Sequence, residues 1–273
     1  MASAMLEGVL RRDRLIVMSA LAVITALAWS YLLWLAADMR MHGMALAGFR
    51  MIPAGIGLMA PVLTPWHWFE FPLVFGMWLV MMVGMMLPSA APMILIHAQV
   101  GRQAAMQEKP FAATGWFVTG YLLMWTGFSL IATAAQWASE RAALLDPKMA
   151  SASSVFGGVV LIAAGAYQWT SLKKVCLRQC QAPFTFIQKH GGLRRSIRGS
   201  LLLGLRHGAY CVGCCWILMA LLFVGGVMNV LWIAAIAVFV LVEKLLPFGL
   251  LISRLAGLTF VAAGGWLLLH FTI

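Results

Sequence analysis

Residues 207–219 read His207-Gly-Ala-Tyr-Cys211-Val-Gly-Cys214-Cys215-Trp-Ile-Leu-Met219. Positions four apart on a helix stack on one face. His207, Cys211, Cys215 and Met219 therefore form one stripe, with Cys214 beside it. Thiolate, thioether and imidazole together suit Cu(I), and thiolate with imidazole also suits zinc. Buried cysteine can be no more than a small apolar residue. Three cysteines within five residues, flanked by His and Met at helical spacing, favour metal or redox chemistry instead.

A second pair, Cys176 and Cys180, lies beside Lys173, Lys174 and Arg178. Basic neighbours favour the thiolate that binds metal, and on a helix the two sulfurs share a face. The plain alternative is two unrelated interfacial cysteines. A third group is a run of thioethers. Met77, Met81 and Met85 form one i, i+4 line and Met82 with Met86 the next, followed by Pro88 and Pro92. Proline frees backbone carbonyls and lets a helix open toward a cavity. The run reads either as a soft-metal path or as packing by a gap-filling residue. Met39, Met41, His42, Met44, Met51, Met59 and His67 form a looser group on the segment 37–71. It is a soft-metal surface or an ordinary interfacial segment. Glu243 and Lys244 sit near the end of an apolar run, where charge is costly. They are expected to pack helices or support ligands rather than to be ligands. His97 and His190 fall in loops and are expected to face water, and His270 has no evident partner.

The elements that must position these groups follow from composition. The chain has 273 residues, 63% hydrophobic and 10% charged, against about a quarter charged in a soluble domain. So little charge cannot cover a water-exposed surface. The net charge of +11 sits mostly in short segments between apolar runs and shows no aromatic-interleaved basic patch, so no nucleic-acid role is expected. The five cysteines fall in two tight groups, unlike a disulfide framework.

Apolar runs occupy 15–36, 72–96, 111–137, 155–172, 201–227, 230–250 and 255–271. The first follows Arg11, Arg12 and Arg14 but is too long for a cleaved signal sequence. The expectation is an all-α, polytopic transmembrane bundle of about seven spans, a single integral membrane domain over 1–273. It carries an outer Met/His loop at 37–71 and a basic cytoplasmic loop at 173–199. Lys and Arg concentrate on alternate connections, which puts the N-terminus in and the C-terminus out. No phosphate-binding glycine loop, phosphorylation motif or HExxH is present. ATP-driven pumping by this chain is not expected, nor is enzyme activity.

Three stretches carry a family resemblance. They are 78–92 with Met81, Met82, Gly84, Met85, Met86, Pro88 and Pro92, then 167–180 with Tyr167, Gln168, Lys173, Cys176 and Cys180, then 204–219 with His207, Gly208, Cys211, Gly213, Cys214, Cys215 and Met219, joined by Glu243-Lys244. They resemble the bacterial predicted metal-binding integral membrane proteins, long classed as a domain of unknown function and linked with copper delivery as membrane copper chaperones. The resemblance implies a copper-handling role in the bacterial cytoplasmic membrane, supplying a cuproenzyme or passing metal to an acceptor metallochaperone. The family pattern has a basic residue before the proline where this chain has Gln181-Ala-Pro183. The expected Cu(I) ligands are Cys211, Cys214 and Cys215 with His207 and Met219. Cys176 and Cys180 form an intake pair, and Met81, Met82, Met85 and Met86 are weaker onward sites. The rival readings are a membrane thiol–disulfide oxidoreductase and an accessory subunit whose cysteines only pack.

Overall fold

The computed structural model describes residues 2–42, 70–106, 113–145, 149–151, 153–193 and 196–271, and among them the chain is helical apart from one isolated bridge between Leu145 and Ser151. The helices are α1 (Ala2–His42), α2 (Glu70–Met106), α3 (Thr114–Arg141), α4 (Ser154–Tyr167), α5 (Ser171–Gln181), α6 (Pro183–Lys189), α7 (Ile197–Ala220), α8 (Leu222–Gly225), α9 (Val230–Leu245) and α10 (Gly249–Phe271). The all-α expectation holds. The Met/His stretch 43–69 lies outside the described residues.

Every expected apolar run contains helix, but not every run is one straight span. Five helices are long and apolar enough to cross a membrane, and a sixth crossing arises if α4 and α5, bent by 65°, count as one. The remaining expected span, 230–250, is α9, of 16 residues. At 1.5 Å per residue it rises about 24 Å, short of the ~30 Å hydrocarbon core. The expected basic loop at 173–199 is not a loop. It holds α5, α6 and the start of α7. Side-chain caps set these boundaries: Thr170 accepts from the Lys173 amide to start α5, and Ser196 from the Gly199 amide to start α7. Pro183 occupies the first turn of α6, where a missing N–H costs nothing.

Helix α2 runs through two internal prolines, and a neighbour answers the carbonyl that the first of them releases. Pro88 cannot donate to the Gly84 carbonyl. The indole N–H of Trp29, from α1, donates to that oxygen at 3.3 Å. The Met86 carbonyl takes the Tyr121 hydroxyl at 3.0 Å and the Ser89 hydroxyl at 2.8 Å. The opened stretch of α2 is thus held by α1 and α3.

Helices α3 and α7 form the most extensive helix pair. Their backbones meet at Gly120 and Gly204, where a methyl on Gly204 would land on the Phe117 carbonyl. Only a residue without Cβ permits this approach, and it brings Tyr121 of α3 level with the cysteines of α7. Overpacking a tight contact costs about 1–3 kcal/mol. Gly204→Val is expected to lower the thermal unfolding midpoint of the purified protein. Gly127→Ala, on α3 where a methyl meets nothing within 4 Å, is expected to leave it unchanged.

Candidate metal centre

The His207 stripe of α7 faces inward: His207, Cys211, Cys214, Cys215 and Met219 are all buried. On α5, Lys173, Cys176 and Leu177 form the buried face, and half-buried Cys180 lies one turn beyond Cys176. α5 lies against α7. Cys180 lies near Cys211 and Cys214, close enough for the three thiols to interact electrostatically. The structure therefore joins Cys180 to the α7 cysteines. Cys176 takes a different place. It packs on Gly213, where a methyl would stand 2.9 Å from the Cys176 sulfur.

Two of the thiols are engaged with their own helix. Cys214 and Cys215 donate to the Cys211 carbonyl at 3.1 and 3.0 Å. Cys215 Sγ also lies 3.8 Å from Met86 Sδ, which ties the thiol group to the thioether run of α2. Met81, Met82, Met85 and Met86 are each no more than 2% exposed. Eight residues before Met86, Trp78 packs on Phe223 of α8 with ring centroids 5.5 Å apart. The thioether run thus follows the α7–α8 direction away from the cysteines. Met219 is buried one turn beyond Cys215.

Two buried lysines frame the thiols. Lys244 Nζ, on α9, donates to Cys211 Sγ at 2.9 Å and to Ser89 Oγ at 3.2 Å. The Tyr121 hydroxyl lies 3.2 Å from the same sulfur. Lys173 Nζ pairs with Glu243 Oε2 at 2.7 Å with both side chains fully buried, and donates to the Cys214 carbonyl at 2.7 Å. The Tyr167 hydroxyl donates to the Gly213 carbonyl. Gln181 caps the end of α9, its amide donating to the Glu243 and Leu246 carbonyls at 2.9 and 3.0 Å. A neutral amide serves there.

His207 sits one turn before Cys211 among Phe117, Tyr121 and Phe186, with ring centroids 5.9, 5.9 and 5.2 Å away. Its Nδ1 is buried without a hydrogen-bond partner. His97 does not face water. It is buried on α2, with Nε2 3.1 Å from Ser200 Oγ and Nδ1 3.3 Å from Thr114 Oγ1, because α2 continues well past the apolar run and packs there against α3 and α7. His190 is half-buried, its Nδ1 2.8 Å from the Phe186 carbonyl. His270 stacks on Trp266.

The donor set is soft: thiols, thioethers and one unpartnered imidazole nitrogen. Among the described residues, however, no group of three or more His, Cys, Asp and Glu side chains stands in a ready metal-holding arrangement. The reason is visible in the two thiols turned back onto the Cys211 carbonyl. Lys173 is the residue that sequence reasoning missed, because it reads as one of a run of loop cations. Losing one partner of a buried ion pair costs about 3–5 kcal/mol, whereas replacing both can be nearly neutral. Lys173→Met alone is expected to lower the unfolding midpoint sharply, and Lys173→Met with Glu243→Leu to recover most of the loss.

Comparison with curated proteins and with solved structures finds no match. The sequence profile of the PpoB2 family, described as a copper chaperone, matches residues 75–267. The match runs from α2 into α10 and takes in every group of the site; α1 lies before it. The chain belongs to the PpoB2 copper chaperone family.

Proposed function

We propose that this copper chaperone is embedded in the bacterial cytoplasmic membrane and carries Cu(I) as cargo on Cys211, Cys214, Cys215 and Cys180. The observation that carries the reading is the buried group of Cys211, Cys214 and Cys215 on α7, with the Met86 thioether 3.8 Å from Cys215 and Cys180 of α5 close by. Thiolate and thioether are the protein ligands best matched to Cu(I). Turning Cys214 and Cys215 about χ1, between staggered wells, frees their sulfurs from the Cys211 carbonyl to meet the metal. Lys244 supports a thiolate at Cys211, since Glu243 is already paired with Lys173. His207 and Met219 flank the thiols as auxiliary donors. Cys176 packs beneath the site on Gly213 and holds α5 in register. Met86, Met85, Met82 and Met81 form weaker successive stations for hand-over to a copper-requiring partner, a cuproenzyme or an acceptor metallochaperone.

Membrane embedding is supported by the outward apolar side chains. Leu27 and Trp34 on α1, Ile131 on α3, Leu231 on α9 and Leu269 on α10 are all strongly exposed, an arrangement suited to lipid contact. The alternation of basic segments supports an N-terminus on the cytoplasmic side, and a C-terminus on the opposite side requires that the short α9 also cross.

The nearness of Cys180 to two other thiols also suits a thiol–disulfide oxidoreductase, and the thioether contact separates the two readings. Anaerobic loading of the detergent-purified protein with Cu(I) is expected to give stoichiometric copper, lost in Cys211/Cys214/Cys215→Ser. Equal copper in both proteins, or none in either, overturns the copper-carrier site. Met86→Leu is expected to keep the copper content while slowing transfer to a Cu(I) chelator several-fold. An oxidoreductase would show unchanged thiol exchange in that variant and no copper phenotype.

A further inference from the structure

The thiol group lies deep, and nothing so far says in what form copper reaches it. The described cavity closest to it in the chain is a pocket of about 290 Å³ between the end of α6 and the first turns of α7. His190, Ser196, Arg198, Leu202, Leu203 and Arg206 line it. Both arginines are solvent-exposed, so the mouth is cationic. Two of its lining residues neighbour the groups that lead to the site. Leu203 is one helical turn before His207, and Arg206 is its neighbour. Phe186 packs against His190 with ring centroids 4.4 Å apart and meets His207 edge-on at 5.2 Å. Beyond His207, one turn further, stands Cys211.

A cationic mouth repels a bare monovalent metal ion. It attracts the same ion inside an anionic complex, since a charged cleft concentrates ligands of opposite sign and speeds their arrival. The volume lies at the small end of ligand pockets, which suits one small thiol carrier rather than a folded donor. Guanidinium groups also match carboxylates in geometry as well as charge. The unpartnered Nδ1 of His207 is the first metal-binding atom without a partner on the way to the cysteines.

We propose that copper arrives at this pocket as an anionic Cu(I)–thiolate complex of a small carboxylate-bearing carrier, recognised by Arg198 and Arg206, with His207 the first group of the chain to take the metal. The proposal rests on the Cu(I) reading of the cysteine site. Copper stays monovalent throughout. A bond from copper to the carrier sulfur breaks as a bond to the His207 nitrogen forms, Cys211 then displaces His207, and the freed carrier thiolate leaves through the pocket.

The test compares loading rates of the detergent-purified protein from two Cu(I) sources, the anionic complex with glutathione and the cationic complex with acetonitrile. In the wild type, added salt is expected to slow loading from the glutathione complex and not from the acetonitrile complex. Arg198→Gln/Arg206→Gln is expected to slow the first by about tenfold or more, leave the second unslowed, and reach the same final copper content. Arg254→Gln, on α10, serves as the control and should match the wild type. Equal slowing from both sources, or an unchanged glutathione rate together with no salt effect in the wild type, overturns the proposal. So does loss of the glutathione rate when phosphatidylglycerol vesicles are added, which would make a lipid headgroup the occupant. Failure of every protein to load copper from either source removes the Cu(I) reading itself and the proposal with it. Loading from acetonitrile alone in all proteins removes only the proposal.

Discussion

Three charged side chains buried in an apolar bundle dictate where the helices meet. An unpaired buried ion costs several kcal/mol, so Lys173, Glu243 and Lys244 must each find a partner. Glu243 and Lys244 are adjacent on α9 and point about 100° apart. One reaches α5 through Lys173, and the other reaches α7 through Cys211 and α2 through Ser89. The hydrophobic effect brings helices together without direction; these contacts supply direction. They fix α5, α7, α9 and α2 around one point, and that point is the thiol group. Two adjacent charges on one short helix thereby set the geometry of a site to which α9 contributes no sulfur.

The same logic operates on the backbone. Pro88 opens α2 beside the cysteines, and its cost is met by Trp29 at the Gly84 carbonyl. Tyr121 serves two sides at once, with the Met86 carbonyl at 3.0 Å and Cys211 Sγ at 3.2 Å. It can do so only because Gly120 and Gly204 let α3 and α7 approach closely. On α7, the Gly213 and Cys214 carbonyls accept from Tyr167 and Lys173. The helix that carries the cysteines is therefore gripped at consecutive carbonyls while Cys214 and Cys215 hold local hydrogen bonds to the Cys211 carbonyl. A rigid backbone with turnable side chains is what a carrier of a soft ion requires.

Much of this was legible in the sequence, and the limits have physical causes. The all-α class followed from long apolar runs, and the inward stripe of His207, Cys211 and Cys215 followed from spacing alone, because helical periodicity is local. The i, i+4 spacing of Cys176 and Cys180 also implied a shared face, although only Cys180 joins the other thiols; which of two residues on a face meets a neighbour depends on the height of the packed helix. Lys173 and His97 were misplaced for a related reason. Each sits at the end of an apolar run, where a sequence reads a boundary with water. Their partners are 70 and 103 residues away, and only the fold brings them together. The short span α9 and the 65° bend between α4 and α5 were hidden because hydropathy records how apolar a run is and not whether it is straight. Gln181 is the converse case. The stretch Gln181-Ala-Pro183 was expected to hold a basic residue before the proline, and in the fold the uncharged Gln181 amide donates to two carbonyls at the end of α9.

In the proposed site, Lys244 also answers a difficulty faced by any thiol-based carrier. Several thiolates hold Cu(I) so firmly that hand-over stalls. An ammonium group 2.9 Å from Cys211 competes with the cargo for the same sulfur and repels it at close range, where low dielectric makes that repulsion strong. Ser89 at 3.2 Å gives Lys244 a second partner to lean on while copper occupies Cys211, and Ser89 stands three residues from Met86 on the opened stretch of α2. The hydroxyl that partners Lys244 and the thioether that touches Cys215 thus share one turn of α2.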